Sequence, residues 1–183
     1  MIYSLSLFSL AKNHTFRAVI FTELKSESKL KKEKNFQIKE IASSDTLNLR
    51  QMNLRREQKA EELVFPGDSD SSTVHFGIFY EGELCGIASI YNEPMKDEKN
   101  DYSWRLRGMA TNEEVRGLGF GMELMYKCIS HVKLNNGKIF WCNARTSAEG
   151  FYEKFGMKRK GEVFYPEGLG EHVVMTMQIE DNR

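Results

Sequence analysis

Residues 103–134 decide how this chain is read. They run Ser103-Trp104-Arg105-Leu106-Arg107-Gly108-Met109-Ala110, then Thr111-Asn112-Glu113-Glu114-Val115, then Arg116-Gly117-Leu118-Gly119-Phe120-Gly121, and on to Leu134. Trp104 and Leu106 alternate with Arg105 and Arg107, the period-2 signature of a strand with one buried face. Phe120, Leu124, Cys128 and Val132 recur every fourth residue with Met125 and Ile129 beside them, the stripe of an amphipathic helix. Between strand and helix sit glycines at 117, 119 and 121. Alternate glycines let several backbone N–H groups turn toward one point, and the helix N-terminus adds its dipole, so the loop suits a phosphate or pyrophosphate. Read structurally, the same loop is a tight strand-to-helix turn. Arg116 either adds charge to it or packs over it. Met122 stands where a dinucleotide fingerprint needs its third glycine, and no G-K-[ST] is present, so neither of those phosphate motifs applies.

Working outward, the pattern alternates between the two periods. Phe36–Ile41 reads as a short strand. Asp45–Leu63 reads as a helix with Leu47, Met52, Leu54 and Leu63 inward, stopped by Phe65-Pro66-Gly67-Asp68. Val74–Tyr80 and Leu84–Tyr91 read as a hairpin around Glu81-Gly82-Glu83, and the polar stretch 92–101 as a loop. After the central helix, Asn135-Asn136-Gly137 predicts a stop with Gly137 in the left-handed position. Lys138–Cys142 reads as a strand. Thr146-Ser147-Ala148-Glu149 has the form of a capping box opening a helix that Gly156 closes, with Ala148, Phe151, Tyr152 and Phe155 on one face. Two strands, about 157–164 and 173–179, finish the chain. The order β-α-β-β-β-α-β-α-β-β predicts a mixed α/β domain, an antiparallel meander followed by crossovers.

Bulk properties exclude several classes. At 183 residues there is room for one sizeable core. Lys+Arg and Asp+Glu balance at 26 each, so no net field recruits nucleic acid or anionic lipid. Cys85, Cys128 and Cys142 form no pair with metal spacing, which suggests free thiols in a reducing cytoplasm. The histidines His14, His75, His131 and His172 show no metal-binding spacing, so no metal is expected. No run of 18 apolar residues exists to span a membrane, and Met1–Ala11 lacks the basic lead-in of a signal peptide. Residues 24–35 are almost wholly polar and read as a linker, with 15–22 a stray element of no assigned role. The expected organisation is therefore an extension, 1–35, and a domain, 36–183.

Two stretches together resemble the GNAT superfamily of N-acetyltransferases. Leu106–Gly121 matches its strand, short acidic turn, R/Q-x-x-G-x-G/A and helix. Ala148–Met157 matches its later helix ending A-x-x-x-Y-x-K-x-G-F, with Met157 in place of the aromatic. The resemblance spans about residues 36–180. It implies a mostly antiparallel central sheet flanked by helices and splayed where acetyl-CoA, the co-substrate, lies. It implies that the N–H groups of Met109 and Ala110 meet the acetyl and pantetheine oxygens. The loop Arg116, Gly117, Leu118, Gly119, Phe120 and Gly121 would take the pyrophosphate, and Tyr152 would give a proton to the leaving sulfur. Arg145 stands where many members have a cofactor-contacting asparagine. Asn143 either takes over that contact or caps the strand end. The reaction implied is acetyl transfer to a primary amine of a small molecule or peptide. A catalytically silent acyl-CoA-binding sensor or protein-interaction module is the alternative, and monomer and homodimer both stay open.

An alkylammonium must lose a proton before it attacks, and the candidates for the base are Glu93, His75, His172 or water. Arg105 and Arg107 share one face of the central strand, and Arg50, Arg55 and Arg56 lie on the first helical region, which in this family borders the acceptor. If they converge, they favour an acceptor with a carboxylate or phosphate. If they do not, they are separate surface ion pairs.

Overall fold

The computed structural model describes residues 35–95 and 102–180. The expected linker and everything before it, and most of the loop after Pro94, lie outside the described residues. The described residues divide into two compact units, a main one of 38–79 and 83–180 and a small one of 35–37 and 80–82.

Seven strands form one sheet: β1 (Phe36–Ile41), β2 (Val74–Tyr80), β3 (Glu83–Tyr91), β4 (Ser103–Thr111), β5 (Ile139–Arg145), β6 (Lys158–Phe164) and β7 (His172–Gln178). Their order is β1-β2-β3-β4-β5-β7-β6. β4 and β5 run parallel, while β3–β4, β5–β7 and β6–β7 are antiparallel. A parallel pair needs a crossover, and the helix α2 (Phe120–Leu134) supplies it. Its stripe is as expected: Phe120, Leu124, Met125, Cys128 and Val132 are all buried. Burying each such side chain contributes about 1.5–3 kcal/mol, so this helix anchors the core.

The first helix, α1 (Ser43–Leu54), is shorter than its sequence suggests. Beyond Leu54 the run Arg-Arg-Glu-Gln-Lys has no apolar residue to bury, and a separate 3-10 turn at Ala60–Leu63 brings Leu63 into the core. The inward stripe of α1 is Thr46, Leu49 and Arg50, whereas Met52 is exposed. A charged residue thus occupies a core position that hydrophobic patterning skipped.

Leu49 of α1 packs on Ile87 and Ala110. His131 of α2 meets the Phe76 and Trp104 rings edge-on, so the two helices lie on opposite faces of the sheet. Between the registers Ser89↔Arg107 and Ile87↔Ala110, β4 holds one residue more than β3, a bulge at Gly108-Met109. Gly108 has φ +61°, and a Cβ there would come within 3.1 Å of Arg50 Nε. The extra residue flips the alternation. Met109 reaches toward Gly121 of α2, on the side of Trp104, while Ala110 faces α1.

Two expected caps differ. Asn136, φ +56°, takes the left-handed position after α2. Gly137 is required for another reason, since a Cβ would clash with Val132 and sit 2.6 Å from Trp104 Cδ1. The Thr146 capping box does not form: Thr146 turns its hydroxyl and its N–H to Glu171, and a 3-10 turn leads into the short helix α3 (Glu149–Glu153). Gly156 at φ +82° does close that segment.

Candidate active site

β4 and β5 pair only from Ser103↔Ile139 to Leu106↔Cys142. Past that point β4 follows β3, after its bulge, through Ile87↔Ala110 and Gly86↔Thr111. β5 follows β7 through Asn143↔Val174 and Arg145↔His172. The strands part where the bulge turns β4. The result is a cavity of about 360 Å3 whose walls include Gly108 and Met109 from β4, Asn143 and Arg145 from β5, and Tyr152 from α3.

Peptide groups alternate along β4. Asn112 N–H donates to Cys85 O at 2.8 Å, and Ala110 pairs with Ile87, so alternation directs the peptide edge of Ala110 toward β3. By the same alternation the edge of Thr111 points away from β3. Met109 lines the cavity, and the Ala110 methyl is packed on Leu49 and Ile87.

The glycine loop lies at the N-terminus of α2. Gly117 and Gly119 have φ of +82° and +86°, a region L side chains rarely adopt. Gly121 is helical, and a Cβ there would meet only ordinary contacts, Phe151 Cε2 at 3.6 Å and Met109 Cε at 3.9 Å. Packing of the chain itself therefore does not demand glycine at 121. The Phe120 side chain is core, and Leu118 is about one-third exposed. Arg116 is exposed, 3.4 Å from Glu113, and lines a second cavity of about 590 Å3 that shares Leu54, Arg55, Arg145 and Leu169 with the first.

Tyr152 lies on the cavity wall. Burial first, and then the neighbouring Cys142 thiol to which the phenol donates, push its hydroxyl well above the ordinary value of 10. Cys142, the last β5 residue paired with β4, is pushed up to about 12 by burial, against the pull of the Tyr152 hydrogen bond and the charge of Arg105. Both groups are therefore protonated at neutral pH.

The three candidate bases separate cleanly. His75 is buried away from the cavity, bonded to Ser89 Oγ at 2.8 Å and Asp68 O at 3.0 Å. Glu93 is held by Arg105 at 2.7 Å and Arg107 at 3.9 Å. His172 lines the cavity with Tyr152, and its Nδ1 lies 3.0 Å from Gly170 O. A carbonyl only accepts, so Nδ1 carries the hydrogen in this contact.

The arginines also separate. Arg50 is wholly buried, bonded to Asp68 at 2.6 and 3.0 Å, Leu63 O at 2.9 Å and Ser89 Oγ at 3.0 Å. Asp68 further accepts from Phe65 N–H at 2.8 Å and from the Tyr91 hydroxyl. Burial disfavours the Asp68 carboxylate, yet the bonds from Arg50, Tyr91 and Phe65 N–H and the Arg50 charge outweigh this and hold its pKa below the ordinary value. Arg56 pairs with Glu113 on the surface. Arg55, Arg105, Arg107 and Arg145 all line the cavity. Sequence reading placed neither Arg145 nor Phe65 there. The Phe65 ring carries Arg50, Arg55 and Arg107 at 4.0, 5.1 and 4.9 Å from its centroid. Nothing in local periodicity marks Phe65, because these arginines come from two other segments, the end of α1 and β4.

This sheet, parted at a β4 bulge beside a glycine-capped helix, defines an acyltransferase architecture. A family model for the acetyltransferase (GNAT) domain matches residues 37–179, and the chain belongs to that family. It is similar to the uncharacterized N-acetyltransferase YitI of Bacillus subtilis strain 168, 37% identical over 150 residues, 80% of this chain and 99% of that protein. In fold it is similar to the crystal structure of a putative N-acetyltransferase from Lactobacillus plantarum, with TM-score 0.66, 19% identity and coverage of 79% and 99% of the two chains. It is also similar to an aminoglycoside 6'-N-acetyltransferase complexed with coenzyme A, with TM-score 0.63, 16% identity and coverage of 80% and 99%. The chain is thus an acyltransferase of the GNAT family. Among the described residues, no helix is long and apolar enough to cross a membrane.

Proposed function

We propose that the protein transfers the acetyl group of acetyl-CoA to a primary amine, with the cofactor's pantetheine lying in the gap between β4 and β5. The observation that carries this is the parting of the two strands beyond Leu106 and Cys142, with Tyr152 on the wall of the cavity so formed. The loop from Arg116 through Gly117, Leu118, Gly119, Phe120 and Gly121 takes the pyrophosphate through backbone N–H groups at the N-terminus of α2. Met109 and Thr111, rather than Ala110, offer their N–H groups to the thioester and pantetheine oxygens, and Asn143 adds a contact from the facing strand. A backbone N–H aimed at the thioester carbonyl stabilises the developing oxyanion.

His172 Nε2 takes the proton of the incoming ammonium. The amine nitrogen then attacks the thioester carbon, the C–N bond forms, the C–S bond breaks and the electron pair leaves with sulfur. Tyr152 redirects its hydrogen bond from Cys142 to that sulfur. A phenol with so high a pKa stabilises a thiolate by hydrogen bonding. The sulfur's full proton comes through the imidazolium or solvent, leaving an acetamide, free CoA thiol and one proton released. The working domain is residues 36–183, and three buried cysteines outside any disulfide fit a reducing cytoplasm.

The test is isothermal titration with acetyl-CoA of the wild type and of Gly119→Glu, which brings bulk and negative charge to a left-handed residue in the anion site. Micromolar binding lost in the variant is the expected result. A folded wild type that binds no acetyl-CoA overturns the proposal.

A further inference from the structure

The acceptor end of the cavity is built for a negative charge. Arg55, Arg105, Arg107 and Arg145 line it, together with the apolar surfaces of Leu54, Phe65 and Leu169. Among the described residues, Glu93 is the one carboxylate within ion-pair reach of these four, and it is shared between Arg105 and Arg107. The remaining contacts are neutral: Arg55 to Gln58 Oε1 at 2.8 Å, Arg107 to Pro66 O at 3.1 Å and Arg145 to Leu54 O at 3.1 Å. Arg105 Nε is buried with no hydrogen-bond partner among the described residues. Neighbouring guanidiniums depress one another: burial and then Arg105 lower the pKa of Arg107, and burial, Arg50 and Arg145 lower that of Arg55, with Glu62 opposing. Arginine stays charged even so. Arg55, Arg105 and Arg107 are partly buried and Arg145 is exposed at the rim; cations so placed repel one another, and an oxyanion among them relieves that repulsion while matching the planar N–H forks.

Resting on the acetyl-transfer reading above, we infer that the acceptor is a small amine carrying an oxyanion, a carboxylate or a phosphate, which the Arg55, Arg107 and Arg145 guanidiniums hold while its amino group faces Tyr152 and His172. Size points the same way. The cavity of about 360 Å3 also has to admit the thioester end of the cofactor, so an amino-acid-sized acceptor fits beside it, with the adjoining cavity of about 590 Å3 open past Arg55 and Arg145. The Phe65 ring braces both Arg55 and Arg107, so the anion site is partly preset before the acceptor arrives. Polyamines, aminoglycosides and lysine-rich peptides meet four positive charges and are rejected.

The first experiment measures acetylation by the full chain, with acetyl-CoA, of α- and ω-amino acids and phosphoethanolamine, each beside its methyl ester, amide or simple alkylamine counterpart. The inference expects kcat/KM for the best anionic acceptor to exceed that of its uncharged counterpart by about 10- to 100-fold, the worth of a charged hydrogen-bonded contact. Arg107→Gln and, separately, Arg145→Gln raise KM for the anionic acceptor by about 10-fold and change the uncharged one by less than about threefold. Carboxylate and phosphate arms tell the two oxyanions apart. A second measurement needs no turnover: titration of the CoA-saturated protein with an N-acetyl amino acid and with its methyl ester, in wild type and in the exposed-site variant Arg145→Gln. Saturable binding of the acid alone, weakened in the variant, supports the inference even if no amine is acetylated, in which case the transfer reading fails by itself. Equal or better acetylation of neutral or polycationic amines keeps the transfer reading and overturns this inference. Absence of any Arg145-dependent binding of the acids overturns it as well.

Discussion

Replacing Asp68 with asparagine is expected to cost a large part of the protein's stability. The carboxylate is 2% exposed and its partner Arg50 is 0% exposed. It receives Arg50 at 2.6 and 3.0 Å, the Phe65 N–H at 2.8 Å and the Tyr91 hydroxyl. Asparagine keeps the shape but removes the charge and turns one acceptor into an NH2 that faces donors. Removing one partner of a buried pair leaves the other charge uncompensated and costs about 3–5 kcal/mol, against a total stability of about 5–15 kcal/mol. The assay is urea unfolding followed by tryptophan fluorescence. With a slope of about 2 kcal/mol per M, the midpoint falls by about 1.5–2.5 M. Acid dependence checks the same group. Its folded pKa is depressed, so its stabilisation is present above the unfolded value of about 3.9 and is lost as pH falls through the folded pKa. Asp68→Asn should flatten that acid limb. Arg50→Met combined with Asp68→Leu should recover part of the loss, but not all, because Tyr91, Ser89 and Phe65 N–H lose their partner. A midpoint within about 0.3 M of wild type, or strictly additive single and double variants, would refute the idea that this ion pair holds the Phe65 loop in place.

Further outcomes follow from the same geometry. Tyr152→Phe should lower kcat about 100-fold with acetyl-CoA affinity unchanged, measured by steady-state kinetics and titration. The phenol works in its protonated form and its pKa is raised above 10, so no basic limb due to Tyr152 should appear below pH 10. A limb there that vanished in Tyr152→Phe would contradict the assignment. Gly137→Ala places a methyl carbon 2.6 Å from Trp104 Cδ1 and should destabilise by about 1–3 kcal/mol in urea unfolding, despite favouring helix locally. An unchanged midpoint would show that the Trp104 contact is not tight.

Much of this protein was readable locally. The α2 stripe, the hairpin at Glu81-Gly82 and the glycine loop each depend on residues within one turn or one strand, where spacing is a faithful record of geometry. Misreadings arose wherever a partner came from elsewhere. Gly137 has the form of a helix cap, but a Cβ there is shut out by Val132 and by Trp104, which stands 33 positions earlier in the chain. Thr146 has the form of a capping residue but is claimed by Glu171 across the β6–β7 loop. Ala110 packs on Leu49 and Ile87 because a bulge at Gly108 shifts the alternation, and an extra residue in one strand is visible only against the register of its neighbour.

Local sequence was enough for the alternation of strands and helices, the glycine loop at the start of α2 and, through two ordered motifs, the acyltransferase family. Those features follow from periodicity and from glycine's backbone freedom, which are properties of contiguous residues. Which arginines are neutralised in the core and which line the cavity is settled by folding. Arg50 and Arg107 are the same residue type, yet one is cancelled by Asp68 in the core and the other, stacked on Phe65, faces the cavity. Charge is a property of a residue, but an electrostatic site is a sum over neighbours that the chain brings together only on folding.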